Sequence, residues 1–382
     1  MFALIPRVRV NYNLLDVFRA LFTSSTDEKG RIQVRRKLSS FMGVEDVLLT
    51  SSGRCSLFMI FRYLPQKKVF IPDYTCMVVV EAALLAEKEI HFVETSNNTF
   101  NADRYEDVDN DSIVVATHQY GLPCDIERIV EQSHQKGAVV VEDCAAAFGS
   151  RVNKQLVGTF GDYAAFSFDP SKLINVPNKG GFVIAKDVSD LSKIEKCTPV
   201  QTNDFQYKLN SLKEGCIYCL LKNKWVYRVF HYLTMGRKGK MQLSEHTTPS
   251  TILDSYYTHG FSEWQAVFVN KQLDNINKIL GRRRSLFEKY DKAISNPLLE
   301  KPVYDKDAVC IRYTIRVKDK ANVYTSCLNK GIDMGFSFNH IGAPNERIKA
   351  HKIASQILNI PYYYHLSDRE AQKVIDVLNN LR

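Results

Sequence analysis

Asp143, Ser167 and Lys172 are the residues of this chain whose types and spacing could do chemistry. The run Val139-Val140-Val141 ends in Glu142-Asp143, as expected of a buried parallel strand whose C-terminal tip presents polar groups to a ligand. Downstream, Gly158-Thr159-Phe160-Gly161-Asp162 turns the chain into an apolar run from Tyr163 to Phe168. Ser167-Phe168-Asp169-Pro170-Ser171-Lys172 follows, and then the pair Gly180-Gly181. A strand thus delivers one lysine on a loop, one strand away from a carboxylate. An amine can condense with a carbonyl and move protons, and a carboxylate can stabilise a neighbouring positive charge.

That pairing suits pyridoxal phosphate, which needs an amine to carry it and an anion to keep its pyridine nitrogen protonated. The same residues, Glu142-Asp143-Cys144-Ala145, Gly158 to Asp162, Ser167-Phe168 with Lys172, and Gly180-Gly181, resemble in order the sugar aminotransferase family often called DegT-like. The resemblance spans nearly the whole chain. It implies a fold type I aminotransferase-like α/β protein, with a mostly parallel doubly wound sheet in a large cofactor-binding domain (1–250), a linker helix (251–290) and a small C-terminal αβ domain (291–382). The implied activity moves an amino group from an amino acid, usually glutamate, to a keto group of a nucleotide-linked sugar or deoxysugar in surface polysaccharide or related glycan biosynthesis. A cytoplasmic homodimer is the expected form. Two other readings stay open: a different pyridoxal-phosphate reaction on a similar sugar, and a non-catalytic binding relative, against which the retention of Lys172 weighs.

The resemblance assigns Lys172 and Asp143 to catalysis and, with Ser167, to cofactor binding. Ser51-Ser52-Gly53-Arg54 turns a short strand into an apolar helix, and backbone donors at a helix start suit a phosphate. Ser52 and Gly53 match the family's phosphate-cupping Ser-Gly-Thr, while Arg54 departs from it with a guanidinium that can hold phosphate bidentately. Tyr74 matches an aromatic that stacks on the pyridine ring. His118, at the tip of the strand Ile113 to Thr117, and Arg312 are candidate substrate contacts. Ala146 stands where the family packs His or Gln on the ring. Thr258 and Gly260 stand where it carries an Asn that reaches the partner subunit's phosphate and an Arg.

Strands alternate with helices through residue 185, which argues for a parallel sheet. One long helix is expected from Ser262 to about Arg284, a strand from Val309 to Val317, and a last helix after the capping box Ser367-Asp368-Arg369-Glu370. The chain has 382 residues, 45% of them apolar, enough for two domains. Its 51 basic and 42 acidic residues give +9, spread along the chain, which favours small anionic ligands and no nucleic acid. Nine irregularly spaced cysteines read as reduced thiols, and no apolar run reaches the ~18 residues of a membrane span. The basic amphipathic stretch Tyr218 to Lys240 is expected to pack on its own protein or a sister subunit, with membrane contact unlikely on this reading. Cys216 and Cys219 lack the second ligand pair zinc needs, so no metal is expected. Dinucleotide, Walker and zinc-protease motifs are absent from the sequence.

Overall fold

Seven short apolar runs pair into one sheet: β1 (Leu48–Thr50), β2 (Lys68–Pro72), β3 (Glu89–Val93), β4 (Ser112–Thr117), β5 (Val139–Asp143), β6 (Tyr163–Ser167) and β7 (Gly181–Ala185). A computed structural model describes residues 3–24, 28–197, 205–235, 249, 252–338 and 341–382. The strand order is β1-β7-β6-β5-β4-β2-β3. β2 to β6 run parallel, and β7 runs antiparallel to both β1 and β6.

Side chains alternate across a strand, and here both faces are covered. Ala164, Phe166, Phe182 and Ile184 enter one core, whereas Ala165, Val183 and Ala185 enter another on the opposite face. Phe166 and Phe182 are register partners whose rings stack 4.3 Å apart. The helices α2 (Gly53–Tyr63) and α3 (Met77–Leu85) pack with Ile113, Val115 and Val141. The helix α4 (Ile126–Gln135) packs on Val114, Ala116 and Val140 from the other side. This is the doubly wound arrangement, and its register aligns Thr117 with Asp143 and Asp143 with Ala165. The C-terminal tips of β4, β5 and β6 therefore open side by side.

Before the sheet lies α1 (Leu14–Leu21), and after it come α5 (Phe205–Leu220), α6 (Lys224–Met235), α7 (Glu263–Leu273), α8 (Ile276–Ala293) and α9 (Asp368–Asn379). A smaller core gathers around an antiparallel pair, β8 (Tyr313–Arg316) with β9 (Ile357–Ile360), and takes in Leu4 and Ile5 from the chain start. The α9 start is the capping box the sequence announces: Glu370 N donates to Ser367 Oγ at 3.2 Å, and Ser367 N donates to the Glu370 carboxylate at 3.0 Å.

Two expectations are corrected. The long helix breaks at Asp274-Asn275 into α7 and α8 and runs on to Ala293. Asp and Asn favour local turns over a helix interior, and the two segments lie over different parts of the core. The Val309 to Val317 strand shrinks to β8, because Val309 N donates to Ser150 Oγ and Ile311 N to Tyr120 O, bonds that tie this segment to the large core. The stretch Tyr218 to Lys240 straddles a turn between α5 and α6, and its residues 236–240 lie outside the described ones. Cys216 and Cys219 are half-buried on α5.

Candidate active site

A cavity of about 230 Å³ opens above the tips of β4 to β6, and Lys172, Asp143, Ser167, Ser52, Gly53 and Arg54 all line it. Asp143 ends β5 and is 7% exposed; its Oδ1 accepts from Ala145 N at 3.0 Å, which aims the carboxylate. Burial raises its pKa, opposed by that hydrogen bond and by the nearby Lys172 amine. Lys172 is held by its backbone, whose N–H donates to Asp169 O at 2.8 Å and whose carbonyl accepts from Asn175 Nδ2 at 3.1 Å. Its amine makes no hydrogen bond to another described residue. Burial pushes its pKa down, against the pull of Asp169, Cys76 and Asp143, and Arg312 adds to the lowering. Desolvation of this kind favours the unprotonated, nucleophilic amine more than a surface position would.

The floor beside it is cut from glycine. A Cβ on Gly53 would come 2.7 Å from Ser167 Cβ, and one on Gly181 would come 2.9 Å from Gly53 N, so only glycines let β6, β7 and the start of α2 meet. Ser52 caps α2: its Oγ accepts from Cys55 N at 3.1 Å and donates to Tyr256 O at 2.8 Å. The first helical N–H groups have no partner within the helix and carry the positive end of its dipole. Two cations frame the same corner, with Arg54 5.2 Å and Lys179 Nζ 4.7 Å from the centre of the Tyr256 ring. Arg54 lies 3.6 Å from Glu81, and Lys179 lies 3.2 Å from Asp169. Burial would raise the Asp169 carboxyl, but Lys179 and Lys172 hold it below the usual carboxylate range. Thr258 donates its hydroxyl to Asp254 O at 3.3 Å.

Two candidates change role. Tyr74 is fully buried and off the cavity wall. Its ring packs among Phe100, Tyr120 and Phe338, and its hydroxyl meets that of Tyr120 at 2.6 Å, so no face is left for a pyridine. His118 reaches the wall, but both ring nitrogens are spent: Nδ1 accepts from Cys124 N at 3.2 Å, and Nε2 stands 3.0 Å from Glu142 Oε2. It spaces the strands instead of touching substrate through nitrogen. Arg312 does line the cavity, just before β8, and no ion pair or hydrogen bond joins its guanidinium to another described residue.

Sequence reasoning missed Glu142, Lys179 and Cys76. Glu142 faces away from the cavity and binds the loop ahead of β6, accepting from Gly158 N at 2.7 Å and from Phe160 N and Gly161 N at 2.8 Å. With His118 it has four donors, so its lone pairs are occupied; this accounts for Glu142 in the cluster with His118 and Cys144 without a metal ion. Lys179 directly precedes the glycine pair that the sequence did single out, and Cys76 directly follows Tyr74 and Thr75 on the way into α3. Cys76 lines the cavity, as do Ser337 and Phe338 from much later in the chain.

Pyridoxal phosphate fits this donor set. The start of the helix that Ser52 caps, together with Ser167, would hold its phosphate, Asp143 its pyridine nitrogen, and Lys172 its aldehyde carbon. Site and sheet together define the class: a fold type I pyridoxal-phosphate enzyme. Comparison with known proteins agrees. A family model, the DegT/DnrJ/EryC1/StrS aminotransferase family, matches residues 23–379, and the chain belongs to that family. Among curated relatives, it is 23% identical over 363 residues to a UDP-N-acetyl-3-dehydro-alpha-D-glucosamine 3-aminotransferase of Acidithiobacillus ferrooxidans, covering 90% of this chain and 86% of the relative. It is 23% identical over 365 residues to a dTDP-3-amino-3,6-dideoxy-alpha-D-galactopyranose transaminase of Aneurinibacillus thermoaerophilus, covering 90% and 88%. In fold it is similar to the sugar aminotransferase CalS13 from Micromonospora echinospora, with a TM-score of 0.71 at 18% identity over 98% of this chain and 99% of that one. A DegT DnrJ EryC1 StrS aminotransferase from Brucella abortus gives 0.71 at 18% identity over 95% and 94%. The protein is thus a pyridoxal-phosphate-dependent aminotransferase.

Proposed function

We propose that the chain transfers an amino group from glutamate to a keto group of a nucleotide-linked sugar or deoxysugar, within surface polysaccharide or related glycan synthesis, and works in the cytoplasm as a homodimer. The observation that carries this is the buried Lys172 amine, lowered in pKa and facing a cavity whose wall holds Asp143 and a guanidinium without an ion-pair partner among the described residues. The names of the two relatives matched over most of their length support the nucleotide sugar. Division into a large unit (1–250), a linker (251–290) and a small unit (291–382) belongs to the same proposal.

The cofactor supplies an electron sink when bound. Lys172 Nζ, in the unprotonated form that desolvation favours, takes the proton from the donor's α-carbon and returns it on the other side of the exchange. Asp143 would hold the cofactor's ring nitrogen and would stay anionic beside that positive charge, since a cation lowers the carboxyl pKa that burial alone raises. Arg312 holds a carboxylate of the donor or a phosphate of the sugar nucleotide, in a place where bidentate recognition faces little competition from water. Ser337 and Phe338 close the cavity from the small unit and keep water from the amine.

Borohydride treatment of the holoprotein followed by peptide mapping tests the assignment of Lys172. The expected result is one cofactor-bearing peptide containing Lys172, and loss of half-transamination with glutamate in Lys172→Ala. A cofactor adduct on any other lysine would overturn it.

A further inference from the structure

The helices α1 and α6 present apolar side chains on the face turned away from the protein. On α6, Tyr227 and His231 are buried, while Trp225 and Leu233 on the opposite side are 55% and 75% exposed. On α1, Val17 and Ala20 face inward, while Phe18 and its neighbour Phe22 are 59% and 71% exposed. α1 packs along α5, whose last residue, Leu220, is also exposed and leads through a short turn into α6. Exposed apolar side chains thus lie on three helices joined by packing or by a short turn, more than soluble monomers commonly leave open.

The charges on these helices have one sign at the surface. Arg19, Lys213 and Lys224 are exposed. The two acids of the three helices are not: Asp16 is buried against Lys271 Nζ at 2.6 Å, and Glu214 is half-buried. Arg237, Lys238 and Lys240 follow α6 in the sequence. Two occupants could cover such a face. A second copy related by a two-fold axis would set this patch on itself, bringing cation to cation with no exposed acid from these helices between them. An anionic lipid surface satisfies both parts, apolar side chains entering the headgroup boundary and cations meeting lipid phosphates. None of the residues lining the cavity comes from α1, α5 or α6, so a surface laid on this face leaves the cavity wall intact.

We propose that the α1, α5 and α6 face docks on an anionic lipid surface, a role opposite to the packing surface its sequence suggested. The test is sedimentation of the full-length holoprotein with phosphatidylcholine vesicles and with mixed phosphatidylcholine–phosphatidylglycerol vesicles, beside light scattering of the protein alone. The parent is expected to pellet with the mixed vesicles, less so as salt rises, and to stay in solution with phosphatidylcholine. Phe18→Glu combined with Leu233→Glu should weaken vesicle binding by roughly tenfold or more while the scattering mass and the bound cofactor's absorbance stay those of the parent. Arg19→Glu combined with Lys224→Glu, at exposed positions, should remove the preference for phosphatidylglycerol, and it decides the matter if the first pair fails to fold. A parent that ignores the mixed vesicles overturns the proposal. So does a Phe18→Glu, Leu233→Glu protein that binds vesicles as the parent does, or one of smaller mass than the parent, which would make the face a contact between copies.

Discussion

Replacing Glu142 with Gln exchanges one oxygen for an NH₂ group and removes no volume, yet it should be among the most damaging substitutions in the protein. Oε1 accepts from Phe160 N and Gly161 N, and Oε2 lies against Gly158 N and His118 Nε2. Because His118 Nδ1 accepts from Cys124 N, its Nε2 carries the proton, so all four neighbours are donors. Whichever way a glutamine amide turns, its NH₂ group faces two N–H donors. Two hydrogen bonds to a buried charge are lost, at about 1.5–3 kcal/mol each, for a total of about 3–6 kcal/mol. Against a native stability of about 5–15 kcal/mol, that is a large fraction. Urea unfolding of the Glu142→Gln apoprotein, followed by far-UV circular dichroism, measures it, with Glu142→Asp as a second variant that keeps the charge and shortens its reach. The loop that Glu142 holds leads into β6 and so to Lys172, so half-transamination with glutamate should fall as well. A midpoint within error of the parent's would refute the view that this carboxylate ties the loop to the sheet.

Asp143→Asn should fold at least as well as the parent, since Asn keeps the acceptor for Ala145 N and removes a charge whose burial is costly. Its kcat should drop by roughly a hundredfold or more, because a charge opposite the reacting system is lost; equal turnover would place Asp143 outside the chemistry. Lys320 gives a pH prediction: burial lowers its pKa from 10.5 to about 8, and its amine donates to Ala354 O at 2.9 Å. The folded value is the lower one, so the unfolded chain binds more protons between pH 8 and 10.5 and stability rises with pH through that window, by about 3 kcal/mol from this group. Lys320→Met should flatten that rise relative to the parent in urea titrations across the window, and parallel curves for the two proteins would refute the assignment.

The sequence by itself determined what is local. Val139 to Asp143 forms a strand because β-branched side chains suit a pleat buried on both faces, and Ser167 to Lys172 follows as a loop because Asp169-Pro170 cannot continue it. The Ser367 capping box and the Ser52 turn into α2 likewise need only a few adjacent residues. Asp143 and Lys172 could be paired from the chain alone because strand tips in a parallel sheet collect on one edge.

Tertiary structure decided what depends on which segments converge. Tyr74 and Cys76 are two positions apart, and only the packing of Phe100, Tyr120 and Phe338 turns the first into the core and leaves the second on the cavity wall. Glu142 looked like the partner of Asp143 at the strand tip, but successive residues of a strand face opposite ways, and its role follows from a loop that returns beneath it. Lys179 joins the corner at the start of α2 because Tyr256, far along the chain, folds back against Ser52. The apolar side of α6 has the same periodicity whether it faces a core or the outside. The burial of Tyr227 and His231 against the small core, through contacts with Asp333 and Tyr324, settles which side is left open.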